Sequence, residues 1–216
     1  MKFDDYQAGA ARTAMYEGRK SITLEGVNYT LRGLAGEVGE LAGAVMKEEK
    51  NRFENRFSAM LDVVDELGDK WWYTSALCDE LGVTLMDQAK EAISRFTDAD
   101  PSRAETPNGF QSAIYAGAHI YPHRLRPNGL MVATLELTRC AGFLSNLHKK
   151  FLRRDWDYEI LRTRLENNLP ELLVAGAAVA DEMNVPLERV LQLNLQKLGF
   201  REETGTIQDN GGRDVN

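Results

Sequence analysis

Residues 58–81 read SAMLDVVDELGDKWWYTSALCDEL, and this stretch decides the fold class. Its apolar side chains recur at intervals of three, four and seven residues, which places them on one face of an α-helix. They are Met60, Val63, Val64, Leu67, Trp71, Cys78 and Leu81. Because no alternation of the strand kind runs through the stretch, it predicts one long amphipathic helix.

The same periodicity continues through most of the chain and predicts an all-α protein. We expect helices at about 3–15, 28–50, 57–81 and 84–96, and again at about 129–153, 156–182 and 186–199. Four of the six prolines lie between residues 101 and 127, so we assign residues 98–128 to a linker. Pro170 falls inside a helical pattern and should kink that helix or mark its start. Residues 203–216 are polar and rich in glycine, which predicts a tail outside the core.

Composition narrows the class of protein further. The 216 residues include 26 basic and 33 acidic side chains, and the net charge of −7 argues against nucleic-acid or anionic-membrane binding. No apolar run reaches the length of a membrane span, and the first residues do not resemble a secretion signal. Cys78 and Cys140 lack metal-ligand spacing and indicate reduced core thiols, so we expect a cytoplasmic protein.

The chain repeats part of its own sequence. DELGV at 79–83 returns as DEMNV at 181–185 with an offset of 102, and LAG at 41–43 returns as CAG at 140–142 with an offset of 99. The near-constant offset predicts an internal duplication that folds as an intramolecular pseudo-dimer. We place one repeat at 1–97 and a degenerate repeat at 129–202, joined by the linker. An unrelated second helical bundle is the alternative interpretation.

Two pairs of acidic residues stand out in the first repeat. Glu37 and Glu40 lie on the first long helix, Glu66 and Asp69 lie on the second, and the three-residue spacing puts each pair on one helical face. Glu40 and Glu66 are each 13 residues from Phe53 in the expected turn, so antiparallel helices bring the pairs level. Converging carboxylates favour a hard cation, Mg²⁺ or Mn²⁺. Two solvated helix faces are the alternative.

The residues around these acids resemble a known family. Residues 33–41 read GLAGEVGEL and residues 65–73 read DELGDKWWY, which closely resemble the all-alpha nucleoside triphosphate pyrophosphohydrolases of the MazG-like group. The signature of that group is E-x-x-E, a spacer and E-x-x-D. FDDYQ at 3–7 also looks like the first helix of many phage and bacterial members. The resemblance covers residues 1–96.

The resemblance implies a helical bundle that hydrolyses a nucleoside triphosphate to the monophosphate and pyrophosphate with Mg²⁺. It also implies that Glu37, Glu40, Glu66 and Asp69 hold the metal, which activates a water molecule for attack on the α-phosphate. These four are therefore the candidate catalytic and metal-binding residues. A phage member would work in the host cytoplasm. Members differ in the base that they prefer, and no residue of this sequence decides the base.

The end of the second repeat supplies the candidates for substrate binding. Asn194 and Lys197, followed by Arg201, resemble the N-x-x-K end of single-copy members, which contacts the nucleotide. Helix C-terminal cations favoured by the macrodipole are the alternative interpretation of Lys197 and Arg201. Lys47 is a further candidate for a phosphate contact and Trp72 for stacking a base. A solvated lysine and a packed tryptophan are their ordinary roles.

The second repeat departs from the acidic signature. The offsets pair the four acids of the first repeat, in order, with Glu136, Arg139, Asn168 and Glu171. Arg139 would put a cation where a metal should lie, so we expect no second metal site. The two repeats would then share one site, in a monomer or in a further homo-oligomer.

Two other functions stay open. A nucleotide-binding or sensing relative would keep the metal site without turnover. A ferritin-like di-iron bundle needs Glu-x-x-His pairs, and no histidine follows a glutamate by three residues here.

Overall fold

The computed structural model describes residues 1–20, 24–50, 56–117 and 128–207. Within these ranges the chain forms eight α-helices, one 3-10 helix and no strand, so the predicted all-α class is confirmed. The α-helices are α1 (Phe3–Arg12), α2 (Glu25–Lys50), α3 (Arg56–Leu81), α4 (Leu85–Phe96), α5 (Pro107–Gly117), α6 (Gly129–Leu152), α7 (Tyr158–Glu182) and α8 (Leu187–Glu203), and the 3-10 helix is Pro101–Glu105. The expected turn around Phe53, residues 118–127 of the expected linker and residues 208–216 of the expected tail lie outside the described residues.

α3 is the central helix, and its predicted apolar face is buried. Val63, Leu67, Trp71 and Cys78 have no exposed surface. Burial stabilises the fold by about 1.5–3 kcal/mol for each large apolar side chain. α1, α2, α7 and α8 all pack against α3, and the Phe3 ring stacks on Trp71 with 5.9 Å between the centroids. None of the described helices has the length and apolar character needed to cross a membrane.

Two antiparallel helix pairs form the body of the bundle. α2 packs against α3, and α6 packs against α7. The directions follow from facing residues, since Gly26 lies against Glu80 in the first pair and Gly129 lies against Glu182 in the second. α2 also packs against α6, so the two pairs lie side by side. The short helices cross over between the pairs, because α4 packs on α7 and α8 packs on α3.

The segment predicted as a linker contains a packed helix. α5 lies inside residues 98–128, and its Phe110 and Ala113 side chains are fully buried. The Phe110 ring meets Phe3 edge-on with 5.8 Å between the centroids. The prolines concealed this helix, because Pro107 is its first residue, a position where a missing N–H costs little. Pro101 likewise begins the 3-10 helix.

Two glutamines hold equivalent helix starts. Gln7 Nε2 donates to the Val83 carbonyl at 3.2 Å, and the Leu85 N–H donates to Gln7 Oε1 at 2.7 Å. Gln111 makes the same two bonds, at 3.0 and 2.7 Å, with the residues 102 positions further along the chain. α1 therefore fixes the start of α4, and α5 fixes the start of α8 in the same way.

The helix bounds differ from the expected ones mainly at their ends. α7 begins at Tyr158, where the Asp157 side chain accepts a hydrogen bond from the Ile160 N–H at 2.9 Å. Pro170 therefore lies inside α7 and does not mark its start. α8 continues to Glu203 and stops before Gly205, whose φ of +64° ends a right-handed helix.

Lys70 is fully buried where α3 meets α7. Its Nζ donates to the Leu172 carbonyl at 3.4 Å and lies 4.0 Å from the ring centroid of Trp71. Gly176 makes room for the ammonium, since a methyl group there would lie 2.5 Å from Nζ. Both cysteines are buried free thiols, as predicted. Burial lowers the pKa of Lys70 to about 7.

We expect Lys70→Met to raise stability at pH 7 and to flatten its pH dependence between pH 7 and 9. The unfolded chain keeps the lysine proton up to the ordinary pKa of 10.5, whereas the folded chain releases it near 7. The unfolded state binds more protons at this group in this window, so the contribution of Lys70 to the free energy of unfolding rises with pH. Urea unfolding at pH 7, 8 and 9 measures both effects. The same slope in both proteins would contradict a buried, destabilised ammonium.

Candidate metal centre

Three glutamates from α2 and α3 converge on one point. Glu37, Glu40 and Glu66 each place one carboxylate oxygen within 4.8 Å of the other two. The first two lie on successive turns of α2, and the antiparallel partner α3 brings the third level with them. Two oxygens on opposite sides of a Mg²⁺ ion are about 4 Å apart. The three carboxylates therefore fit a hard divalent cation with small side-chain shifts.

The pKa of Glu37 is strongly perturbed. Burial, and then the charges of Asp69, Glu40 and Glu66, raise the pKa of Glu37 to about 8. A hydrogen bond with Glu66 acts in the same direction. Crowded carboxylates keep a proton at neutral pH unless a cation takes its place. The electrostatics of the cluster therefore favour a bound cation.

We expect the contribution of Glu37 to stability in the absence of metal to fall as the pH rises from about 4.5 to about 8. The folded chain keeps the Glu37 proton to about pH 8, whereas the unfolded chain releases it near 4.5, so the folded state binds more protons in this window. Glu37→Gln should flatten the slope. Mn²⁺ should raise the melting temperature of the wild type more than that of the variant. Thermal melts at pH 5 and 8, with and without Mn²⁺, measure this, and identical behaviour of the two proteins would refute it.

Asp69 lies beside the three glutamates but is engaged by α8. Asn194 Nδ2 donates to Asp69 Oδ1 at 2.8 Å, and Lys197 Nζ donates to Asp69 Oδ2 at 2.6 Å. Lys197 also pairs with Asp65 Oδ1 at 2.6 Å. Burial raises the pKa of Asp69, and the charges of Lys197 and Arg201 oppose this rise. The second half of the chain therefore reaches the acids of the first half.

We expect Gly68→Ala to push α8 away from α3. A methyl group at Gly68 would lie 3.0 Å from Asn194 Cβ, so overpacking should lower the free energy of unfolding by about 1–3 kcal/mol despite the better helix propensity of alanine. Gly142→Ala on α6 is the matched control, because a methyl group there would meet none of the described atoms within 4 Å. It should raise stability by up to about 1 kcal/mol. Urea unfolding compares the two variants, and an equal gain in both would contradict the close packing of α8.

The remaining substrate candidates differ in their surroundings. Arg201 lies near enough to act electrostatically on Asp69. Lys47 is exposed on α2 and is not part of the group of converging acids. Trp72 is buried, and its indole N–H donates to the Ala10 carbonyl at 3.2 Å. These contacts favour packing between α3 and α1 as the role of Trp72.

The surface of α2 beside the acids is open. A methyl group at Gly36, Gly39 or Gly43 would meet nothing within 4 Å among the described residues. Glu40 is exposed on the same helix. In the described part of the chain, a ligand can therefore approach the carboxylates along this face without displacing a helix.

In the second helix pair, Arg139 forms ion pairs with two glutamates. Arg139 Nε donates to Glu136 Oε2 at 2.8 Å, and its Nη2 donates to Glu171 Oε1 at 2.5 Å. Asn168 donates to the backbone of its own helix. No group of three converging acids occurs in the described parts of α6 and α7.

Two residues of this site were not predicted from the sequence. Asp65 precedes Asp69 by four residues, so its place on the same helical face was a readable signal. Tyr6 donates from its hydroxyl to Asn194 Oδ1 at 3.0 Å. No spacing links α1 to α8 in the sequence, because the contact depends on how the two helices pack.

Comparisons with known proteins place the chain in a family. The fold and the site define an all-α helical bundle with a carboxylate cluster able to hold a metal. The chain is 38% identical over 101 residues to the Gene 37 protein of Mycobacterium phage L5, a match that covers 44% of this chain and 85% of that protein. The chain belongs to the family of that phage protein. No protein-family model and no solved structure matches the chain.

Proposed function

We propose that this protein is a divalent-cation-dependent nucleoside triphosphate pyrophosphohydrolase of the MazG-like type. It would convert a ribo- or deoxyribonucleoside triphosphate and water into the monophosphate and pyrophosphate. The observation that carries the proposal is the convergence of Glu37, Glu40 and Glu66 beside Asn194 and Lys197 of α8. The acids suit a hard cation, and the ammonium and amide are donors for a polyanionic substrate. Mg²⁺ is the expected ion, and Mn²⁺ favours the same oxygen ligands.

Each residue has a role in this proposal. Glu37, Glu40 and Glu66 would hold the cation, which supplies an activated water and offsets charge on the reacting phosphate. Lys197 would bind phosphate oxygens, with Arg201 nearby. Lys197 already pairs with Asp65 and Asp69, and a triphosphate would offer it a further anionic partner and so free Oδ2 of Asp69, the fourth acid of the signature. The Asn194 amide keeps one N–H for the nucleotide, because an amide nitrogen carries two.

We also infer that the chain is a tandem duplication that forms an intramolecular pseudo-dimer. The equivalent hydrogen bonds of Gln7 and Gln111 support this, as does the exchange of α4 and α8 between the two helix pairs. α5 is then the counterpart of α1, so the second unit begins near Pro107 and not at 129. The match to the phage relative covers 44% of this chain and 85% of that protein. A separate protein of nearly the length of one proposed unit supports the duplication.

The facing glycines refine the pairing of the two units. Gly26 at the start of α2 and Gly129 at the start of α6 are 103 positions apart in the sequence. The offset between LAG at 41–43 and CAG at 140–142 was 99. In this register Cys140 and Phe143 take the places of the first glutamate pair. Neither side chain is an oxygen ligand. We therefore still propose one metal site per chain. The reason is now that Cys140 and Phe143 supply no oxygen ligand, whereas the sequence suggested that the cation of Arg139 excludes a metal.

A nucleotide-binding or sensing relative without turnover is the second candidate. It is favoured by the position of Asp69, which is outside the converging group of three acids and is paired with Lys197. Such a protein would bind a triphosphate with a cation and release no pyrophosphate.

A panel of ribo- and deoxyribonucleoside triphosphates tests the proposal, with Mg²⁺ or Mn²⁺ and with pyrophosphate as the readout. Calorimetry on the same panel measures binding. Pyrophosphate release supports the hydrolase, and binding without release supports the sensing relative. A protein that neither binds nor hydrolyses any of these nucleotides would contradict both candidates.

A further inference from the structure

We infer that Tyr6 is a positioning residue that acts through Asn194 on Asp69. The inference rests on the proposed function, since it assigns Tyr6 to the same site. The Tyr6 hydroxyl donates to Asn194 Oδ1 at 3.0 Å, and Asn194 Nδ2 donates to Asp69 Oδ1 at 2.8 Å. The three side chains come from α1, α8 and α3, and each is at least nine-tenths buried.

The direction of this hydrogen-bonded chain is fixed by chemistry. The Asp69 carboxylate, paired with Lys197, only accepts hydrogen bonds, so the NH₂ side of the Asn194 amide must face it. The amide oxygen then faces Tyr6, which must donate. Burial, and then the charge of Asp69, keep the pKa of Tyr6 well above its ordinary value, so the donor proton is retained. The hydroxyl therefore locks the amide in the orientation that serves Asp69.

Fixing Asp69 matters for the neighbouring acids. Its Oδ1 is held by Asn194 and its Oδ2 by Lys197, so both oxygens have defined directions. Asp69 also follows Glu66 by three residues, so the two acids lie on the same face of α3. Tyr6 thus acts on the acid cluster from α1 without touching a glutamate.

The second half of the chain shows that the fold alone does not need this hydroxyl. The matching Gln7 and Gln111 contacts place Phe110 at the position of Tyr6, and both rings are fully buried. The offset of 102 places Ala92 at the position of Asn194. The hydroxyl and its amide partner are therefore both absent where α5 and α4 pack on α7, the location equivalent to that of α1 and α8 on α3. A phenylalanine would pack α1 equally well, so the hydroxyl serves the site.

The test compares Tyr6→Phe, Asn194→Ala and the double variant in the full chain. We expect Tyr6→Phe to lower kcat for pyrophosphate release about five- to tenfold, the effect of one positioned hydrogen bond, with KM nearly unchanged. It should also weaken Mn²⁺ binding several-fold in calorimetry, a readout that needs no turnover. The effects of the two substitutions on Mn²⁺ affinity should not add, because they interrupt the same chain.

Tyr16→Phe is the matched control. The Tyr16 hydroxyl is also paired, to Glu80 Oε1 at 2.6 Å, but at the far end of α3. This variant should lose some stability and leave kcat and Mn²⁺ affinity unchanged.

The outcomes separate the inference from the proposed function. If the wild type releases no pyrophosphate, the proposed function fails, and the Mn²⁺ affinities still decide the role of Tyr6. If the wild type is active while Tyr6→Phe matches it in kcat and in Mn²⁺ affinity, the inference is overturned. An effect on stability alone, as in Tyr16→Phe, also overturns it. If Tyr6→Phe does not fold, Asn194→Ala carries the test, and an unchanged Mn²⁺ affinity in that variant refutes the inference.

Discussion

Glu66→Gln should abolish pyrophosphate release and leave the fold intact. Glutamine keeps the shape of the side chain but removes the charge that would bind the cation beside Glu37 and Glu40. Loss of an outer-shell partner costs about 10- to 100-fold in metal affinity or activity, so loss of a direct ligand should cost about 100-fold or more. Pyrophosphate release under saturating Mg²⁺ measures the effect.

Glu136→Gln is the control for this substitution. Glu136 is on α6 and pairs with Arg139, away from the three converging glutamates. It should change activity less than twofold, and stability by at most about 1 kcal/mol. Full activity in Glu66→Gln would remove Glu66 from the cation site.

Lys197→Met should lower kcat/KM by about 10- to 100-fold, because it removes a charge-assisted contact proposed for the phosphates. The substitution also leaves Asp65 and Asp69 without their shared cation. Since Asp69 is only 9% exposed, the free energy of unfolding should fall by about 1–3 kcal/mol. Steady-state kinetics and urea unfolding measure the two effects separately.

Arg95→Met is the matched control for Lys197→Met, because it removes a cation from the equivalent position of the first repeat. Arg95 lies 102 positions before Lys197, on α4, and bonds to Glu91 and to the Asn167 carbonyl on α7. Its loss should cost less than about 1 kcal/mol and leave kcat/KM unchanged. Equal losses of activity in Arg95→Met and Lys197→Met would contradict a single site on α3.

The acid cluster could be predicted because it depends on regular geometry. The rise per residue is the same in every α-helix. The expected antiparallel turn midway between Glu40 and Glu66 was therefore enough to bring these two residues level. The apolar face of α3 was predictable for the same reason. Local periodicity therefore accounts for the fold class and for three of the four acids.

Contacts between distant helices were harder to predict. The engagement of Asp69 by Asn194 and Lys197 joins residues more than 120 positions apart, and Gly68 permits it through close packing that no spacing reveals. α5 was missed because prolines break helices in the interior but are tolerated at the first position. The inferred alignment of α2 with α6 differs by four positions from the one that the sequence suggested, and a slip of four residues keeps nearly the same helical face.

Hydrolysis in ¹⁸O-labelled water tests the proposed reaction most directly. The wild-type chain is incubated with a nucleoside triphosphate and Mg²⁺, and mass spectrometry locates the label in the products. Attack of water on the α-phosphorus predicts one ¹⁸O atom in the nucleoside monophosphate and none in pyrophosphate. Label in pyrophosphate, or products limited to the diphosphate and inorganic phosphate, would contradict the account.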